Sequence, residues 1–206
     1  SSAAQHSQSL EAWYAHVPGL VVVCPATAAD NHALLKAAIR SDDPAVYLEH
    51  KNLWGLAGEV DVDAPPARLG AARIACPGRD LTLVTWSAML HASLAAAGAL
   101  AAEGIEPEIL DLRTLWPWDR EAVLASASRT GRLLVVHEAV QAGGCGAEIA
   151  ATVAEELGVP VRRLGAPRIP IAYSPPLEEV ARIGPERIAT TIRAMLNPGG
   201  PERCEP

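Results

Sequence analysis

The sequence predicts an α/β fold in which a mostly parallel sheet is covered by helices on both faces. Three observations carry that prediction. Short apolar runs alternate with longer amphipathic stretches, the order expected of strand–helix–strand units. Half of the 206 residues are apolar, yet Phe is absent and Ala and Val abound, which suits helices packed closely on short buried strands. Glycine, proline and acidic residues gather in one stretch, 51–77, that breaks the rhythm and divides the chain into two parts.

In the first part, residues 7–16 read as a helix, 19–24 as a buried strand, 27–40 as a helix and 45–49 as a strand. Thr27, followed three residues later by Asp30, supplies a capping signal for the second of these helices. The break itself reads as an ordered linker with room for one short edge strand. In the second part, strands are expected at 81–85, 108–112, 133–136 and 161–164. Between them lie helices at 88–103, closed by Gly104, at 119–128 and at 144–157, closed by Gly158. Helices at 177–183 and 185–196 complete it. The resulting division is 1–60, a linker at 61–79, an independent three-layer domain at 80–197 and a disordered tail at 198–206.

Composition excludes several classes of function. The net charge of −7, with no cluster of Lys or Arg, argues against a nucleic-acid surface. No apolar run approaches the roughly 20 residues of a membrane span, and no signal peptide is evident. Cys24, Cys76, Cys145 and Cys204 are scattered without a C-x-x-C pair, as expected of reduced thiols in the cytoplasm. His16, His32, His50 and His91 read as packing or surface residues, because no two of them have zinc-like spacing with a third ligand.

His6 stands directly before the expected first helix. On the residues alone it either caps that helix or, kept neutral by the positive end of the helix dipole, moves protons. A helix that opens a chain has no upstream strand to dock on, so chemistry at His6 is expected to need parts outside this sequence. Around 38–43, the last carbonyls of the second helix (Ala38, Ile39), the hydroxyl of Ser41 and the carboxylate of Asp43 form either a simple turn or an oxygen cage for a monovalent cation. His137 and Glu138 lie at the C-terminal end of an expected parallel strand, where open α/β sheets place ligands. Gly143, Gly144 and Gly146 follow, in a spacing that matches no phosphate loop and suits a tight strand-to-helix turn. Trp116-Pro117-Trp118 suggests a subunit interface.

Seven segments, in register from residue 3 to 196, resemble one family. They are Ala4-Gln5-His6-Ser7-Gln8-Ser9, Val17-Pro18-Gly19-Leu20-Val21-Val22, Ala38-Ile39-Arg40-Ser41-Asp42-Asp43-Pro44, Asp111-Leu112-Arg113-Thr114-Leu115, Val136-His137-Glu138-Ala139, Gly143-Gly144-Cys145-Gly146-Ala147-Glu148-Ile149 and Ser174-Pro175-Pro176-Leu177-Glu178. The family is the beta subunits of thiamine diphosphate-dependent first components of 2-oxo acid dehydrogenase complexes.

The resemblance implies that 1–60 is the C-terminal half of a transketolase-like pyrimidine-binding domain and 80–197 a transketolase C-terminal-like domain. It implies an enzyme component that acts as a heterotetramer with an alpha subunit. That partner would hold the diphosphate and Mg²⁺, and the glutamate that activates the cofactor would lie outside this sequence. The reaction implied is oxidative decarboxylation of a 2-oxo acid, with pyruvate first, and acyl transfer to a lipoyl-bearing second component; this chain alone is expected to be inactive. Glu49-His50-Lys51 with Gly58-Glu59-Val60 also resembles the acetoin dehydrogenase branch. In the resembling proteins the counterpart of His6 faces the reactive centre, and potassium is bound at the counterpart of 38–43, where they usually carry Asp and Asn in place of Ser41 and Asp43. A non-catalytic dimerisation or docking module is the competing class.

Overall fold

The structure, a computed structural model, describes residues 3–197; the tail at 198–206 lies outside the described residues. The expected single helix over 7–16 is instead two short helices, α1 (Ala3–His6) and α2 (Glu11–Ala15), with residues 7–10 non-helical between them. The reason is local. Side chains of Ser and Gln compete for backbone hydrogen bonds, and Gln8 Nε2 donates back to the Ala4 carbonyl at 3.1 Å. His6 therefore closes a helix rather than preceding one, and the helix N-terminus expected beside its imidazole is not there.

The chain then forms β1 (Val21–Val23), α3 (Ala28–Ile39), β2 (Ala45–Tyr47) and a 3₁₀ turn, Lys51–Leu53. Thr27 caps α3 as its sequence suggests, its Oγ1 accepting the Asp30 amide at 3.1 Å. The stretch after the turn is ordered against the first part, with Lys36 Nζ donating to the Ala64 carbonyl at 2.7 Å. The remaining elements are β3 (Arg73–Cys76), β4 (Leu81–Thr85), α4 (Ala88–Ala101), β5 (Pro107–Asp111), β6 (Thr114–Trp116), α5 (Arg120–Thr130), β7 (Leu133–Val140), α6 (Gly146–Leu157), β8 (Val161–Ala166), α7 (Pro175–Ala181) and α8 (Pro185–Leu196).

The larger sheet has the order β3-β5-β4-β7-β8, parallel except for β3, which pairs antiparallel with β5 at the edge. Alternation along the strands sorts the core into two layers. Leu81, Leu83, Ile109, Leu134 and Val136 join a cluster with Leu90 and Leu100 of α4 and Ile188 and Ile192 of α8. Their neighbours Val84, Leu110, Leu133 and Val135 join Val123 of α5 and Ile149 and Val153 of α6. Between these helices and strands Thr82 bonds to Ser126 at 2.6 Å and Thr130 at 2.7 Å, so the buried hydroxyls satisfy one another.

The smaller sheet holds a correction to the expected layout. Its order is β2-β1-β6, and β6 comes from the second part of the chain to pair antiparallel with β1. Val22 and Cys24 consequently belong to the same buried cluster as Trp86, Leu112 and Leu115. A charged network spans the same junction: Arg73 reaches Asp30 at 2.7 Å and Asp111 at 3.1 Å, while Arg113 donates to the Ala71 carbonyl at 2.7 Å. The C-terminal ends of the parallel strands of both sheets thus come to lie around one region.

Candidate functional site

Strand ends build this region. Residues 49–52 leave β2, Glu138 to Val140 end β7, and Ala166 ends β8. Together with His6 to Ser9, Ile171, the α7 residues Glu178 and Ala181, and Arg182 just after that helix, they line a cavity of about 390 Å³. His6 is exposed on its wall. The sequence singled out His6 and the His137-Glu138 strand end separately; the fold brings His6 and Glu138 to one cavity.

His50, which the sequence suggested to be a packing or surface residue, is the new member. Its Nε2 lies 2.6 Å from Glu138 Oε2, linking residues 88 positions apart, and its Nδ1 accepts the Asn52 amide at 3.2 Å. A backbone N–H can only donate, so Nδ1 carries the lone pair and Nε2–H donates to the carboxylate. Burial works to raise the Glu138 pKa, but the His50 hydrogen bond and the electrostatic pull of His50 and Arg182 prevail and hold it below the ordinary carboxyl range. Glu138 is therefore an anion near neutrality. The signal that could have found His50 is its place just beyond a parallel strand, the same rule that pointed to Glu138.

A second, smaller cavity of about 220 Å³ lies behind the His50–Glu138 pair and is also lined by Glu11, Cys24 and Trp86. Burial raises the Glu11 pKa, against a hydrogen bond from Trp86 Nε1 at 3.3 Å. The two carboxyl groups are pushed apart in acidity, Glu11 toward the acid and Glu138 toward the anion. Burial likewise pushes the Cys24 thiol well up, which keeps it protonated and unreactive.

His137 points the other way. It is fully buried, stacks on Trp86 with ring centroids 5.3 Å apart, and its Nδ1–H donates to the Ala139 carbonyl at 3.1 Å. Burial lowers its pKa to about 4, so it is a neutral core residue. The glycines expected to make a tight turn have a further purpose here. A Cβ on Gly144 or Gly146 would lie 2.7 Å from the imidazole ring. Only Gly143 needs its positive φ of 75°.

The expected cation loop stands apart from this cavity. Ala38 accepts the Ser41 amide at 3.3 Å, Ser41 Oγ accepts the Asp43 amide at 3.2 Å, and Ile39 is exposed at the helix end. Trp116 and Trp118 line a separate, mainly apolar cavity of about 590 Å³ with α2 and residues 143–145. Among the described residues no group of three or more His, Cys, Asp or Glu could hold a metal ion, and no helix is long and apolar enough to cross a membrane.

Residues 70–188 match the family described as the transketolase C-terminal domain, and residues 1–55 match the transketolase pyrimidine binding domain. The chain belongs to the transketolase family. Curated relatives that it matches include beta subunits. This transketolase-family chain is 44% identical over 202 residues to the Cupriavidus necator acetoin:2,6-dichlorophenolindophenol oxidoreductase subunit beta, covering 96% of this chain and 60% of that protein. It is 38% identical to the Bacillus subtilis 2-oxoisovalerate dehydrogenase subunit beta (92% and 60% covered). It is 40% identical to the Rhizobium meliloti pyruvate dehydrogenase E1 component subunit beta (94% and 43%). The chain thus spans three fifths or less of the length of these relatives. Among solved structures, a split-gene transketolase, an inactive beta4 tetramer, superposes with a TM-score of 0.83 at 28% identity, covering 95% of this chain and 64% of that one.

Proposed function

We propose that this chain is part of the beta subunit of a thiamine diphosphate-dependent 2-oxo acid dehydrogenase, working with an alpha subunit in a heterotetramer. The observation that carries the reading is the joining of the two transketolase-type regions through β6 and the His50–Glu138 pair, which makes one cavity at the strand ends of both. In this reading 1–60 serves as the C-terminal half of the pyrimidine domain, 61–79 as the linker and 80–197 as the C-terminal domain. The reaction is oxidative decarboxylation of pyruvate: carbon dioxide leaves, and the acyl group passes to the lipoyl disulfide of the second component, which is reduced.

Thiamine diphosphate, if bound between the subunits, would supply the nucleophilic carbon that this chemistry needs. The cavity walls do not fit its diphosphate or Mg²⁺. Arg182 and Lys51 share the cavity with Glu49, Glu138 and Glu178, and no metal-holding cluster stands among the described residues. Those groups belong on the alpha subunit, and no residue of this chain is assigned to them. His6, exposed on the cavity wall, gives and takes protons at the reacting centre. Ala38, Ile39, Ser41 and Asp43 offer only oxygen donors, a set suited to a hard cation such as K⁺. We assign the complex to the cytoplasm.

Acetoin cleavage is the second reading, favoured by Glu49-His50-Lys51 and by the 44% identity to the acetoin-oxidising relative. Both are tested with the beta subunit containing this chain, assembled with its alpha subunit and supplied with cofactor in K⁺ or Na⁺ buffer. Decarboxylation of pyruvate and oxidation of acetoin are then followed with an artificial electron acceptor. Turnover of either donor is expected, faster in K⁺, and His6→Ala should reduce it by roughly 10²-fold. No turnover of any 2-oxo acid or of acetoin would leave the docking-module reading in its place. An unchanged rate in His6→Ala would remove the histidine from the proton chemistry.

A further inference from the structure

His6 is exposed on a four-residue helix, and none of residues 7–10 that follow it is buried. The hydrogen bonds of this segment are local, from Gln8 Nε2 to the Ala4 carbonyl and from the Trp13 amide to the Leu10 carbonyl. The first buried residue after His6 is Glu11, only 5% exposed although it opens α2, where a carboxylate ordinarily faces water. Glu11 accepts a hydrogen bond from Trp86 Nε1 at 3.3 Å. Trp86, just past the end of β4, is itself fixed. It is buried and stacks on His137, whose ring is hemmed in by Gly144, Gly146 and Gly165, where a Cβ would come within 2.9 Å of the imidazole.

We propose that Glu11, clamped by Trp86, is a positioning residue for His6: the pair fixes the segment 7–10 so that the imidazole stays at the cavity it shares with Glu138. This rests on His6 acting at that cavity and deepens the proposed function. Burying a carboxyl group is unfavourable, and an apolar side chain would anchor α2 without that penalty. What the polar contact adds is direction, because a single N–H sets where the carboxyl lies and hence where the segment enters α2. Burial raises the Glu11 pKa and holds it toward the neutral acid, whose carbonyl oxygen accepts from Trp86 without a charge. The clamp also borders the site. Glu11 and Trp86 line the smaller cavity with Gln8, Ser9, His50 and Glu138, and those four line the cavity of His6 as well. Loss of the clamp leaves α2 packed on β1 and β6, so its effect falls on His6 and the segment before α2.

The test uses the beta subunit containing this chain, assembled with its alpha subunit and cofactor, with pyruvate and acetoin as donors. Trp86→Phe, which keeps a ring to stack on His137 but removes the N–H, should lower kcat about 10-fold with little change in KM. Glu11→Ala should do the same, and Glu11→Gln, which keeps the carbonyl acceptor, should recover most of the rate. If Glu11→Ala does not fold, Trp86→Phe carries the test. A residue that acts only through His6 costs nothing further once His6 is gone, so either change should be silent in a His6→Ala background. Losses that multiply with His6→Ala would show a structural role and overturn the proposal, as would a parent-like kcat in Trp86→Phe. A second measurement needs no turnover. With histidines ¹³C-labelled at Cε1, the His6 resonance, identified by its absence in His6→Ala, should move toward that of an unstructured peptide in Trp86→Phe and stay near its parent position in Glu11→Gln. An unmoved resonance in Trp86→Phe overturns the clamp. If the resonance responds but neither donor is turned over, the catalytic reading fails while this assignment stands.

Discussion

Two buried titratable residues pull the stability of this protein in opposite directions over one pH window. His137 is wholly buried, and its pKa is lowered to about 4, so the folded state excludes a proton that the unfolded chain binds below about 6.5. Its contribution is present above that value and is lost as pH falls toward 4, amounting to on the order of 3 kcal/mol. Asp111 is the reverse. Burial raises its pKa to about 6, with Arg73 working against the rise and Asp30 adding to it. Its contribution is present at low pH and is lost as pH rises through 6, again on the order of 3 kcal/mol. The two slopes largely offset each other in the native protein. His137→Gln should therefore leave a protein whose urea midpoint rises on acidification from pH 6.5 to 4, and Asp111→Asn one whose midpoint falls more steeply. Variants with the same pH slope as the parent would show that neither residue carries linked protons.

At the scale of elements, Asp119 shows how one side chain fixes two. Its Oδ1 caps α5 by accepting the Ala122 amide at 3.1 Å, and its Oδ2 accepts the Ala72 amide at 2.8 Å, just before β3. Asp119→Ala should cost about 2 kcal/mol, above the roughly 1 kcal/mol of an ordinary cap, whereas Thr27→Ala should cost only the latter. Equal losses in thermal unfolding would remove the second function. The sequence made the regular elements plain, because periodicity and caps are local: β4 at 81–85 and the two glycine-closed ends at Gly104 and Gly158 follow from adjacent residues. It did not show β6, since three residues after a strand carry no period, and their pairing with β1 is decided by a neighbour more than ninety positions away. The break after His6 was hidden because Ser and Gln are tolerated in helices as well as in turns. His50 and Glu138 were invisible as a pair for the same reason as β6; each sits at a strand end, but only the fold sets one against the other.

For the whole molecule, the shared cluster around Val22, Trp86 and Leu115 and the Asp30–Arg73–Asp111 network make the two parts one packing unit. Unfolding by denaturant should be a single transition, with tryptophan fluorescence from Trp86, Trp116 and Trp118 coinciding with the loss of helical signal. Two separated transitions would mean that the parts open independently. A fragment of 61–197 should be soluble only at low concentration, because it leaves β6 an unpaired edge and uncovers Leu115.

The return of β6 to the first sheet also bears on how such a gene can be recombined. Any crossover placed between residues 24 and 113 would pair the β1 of one parent with the β6 of the other, so hybrids between homologues should tolerate breakpoints after residue 116 far better than breakpoints in the visibly loop-rich stretch that looks like the natural seam.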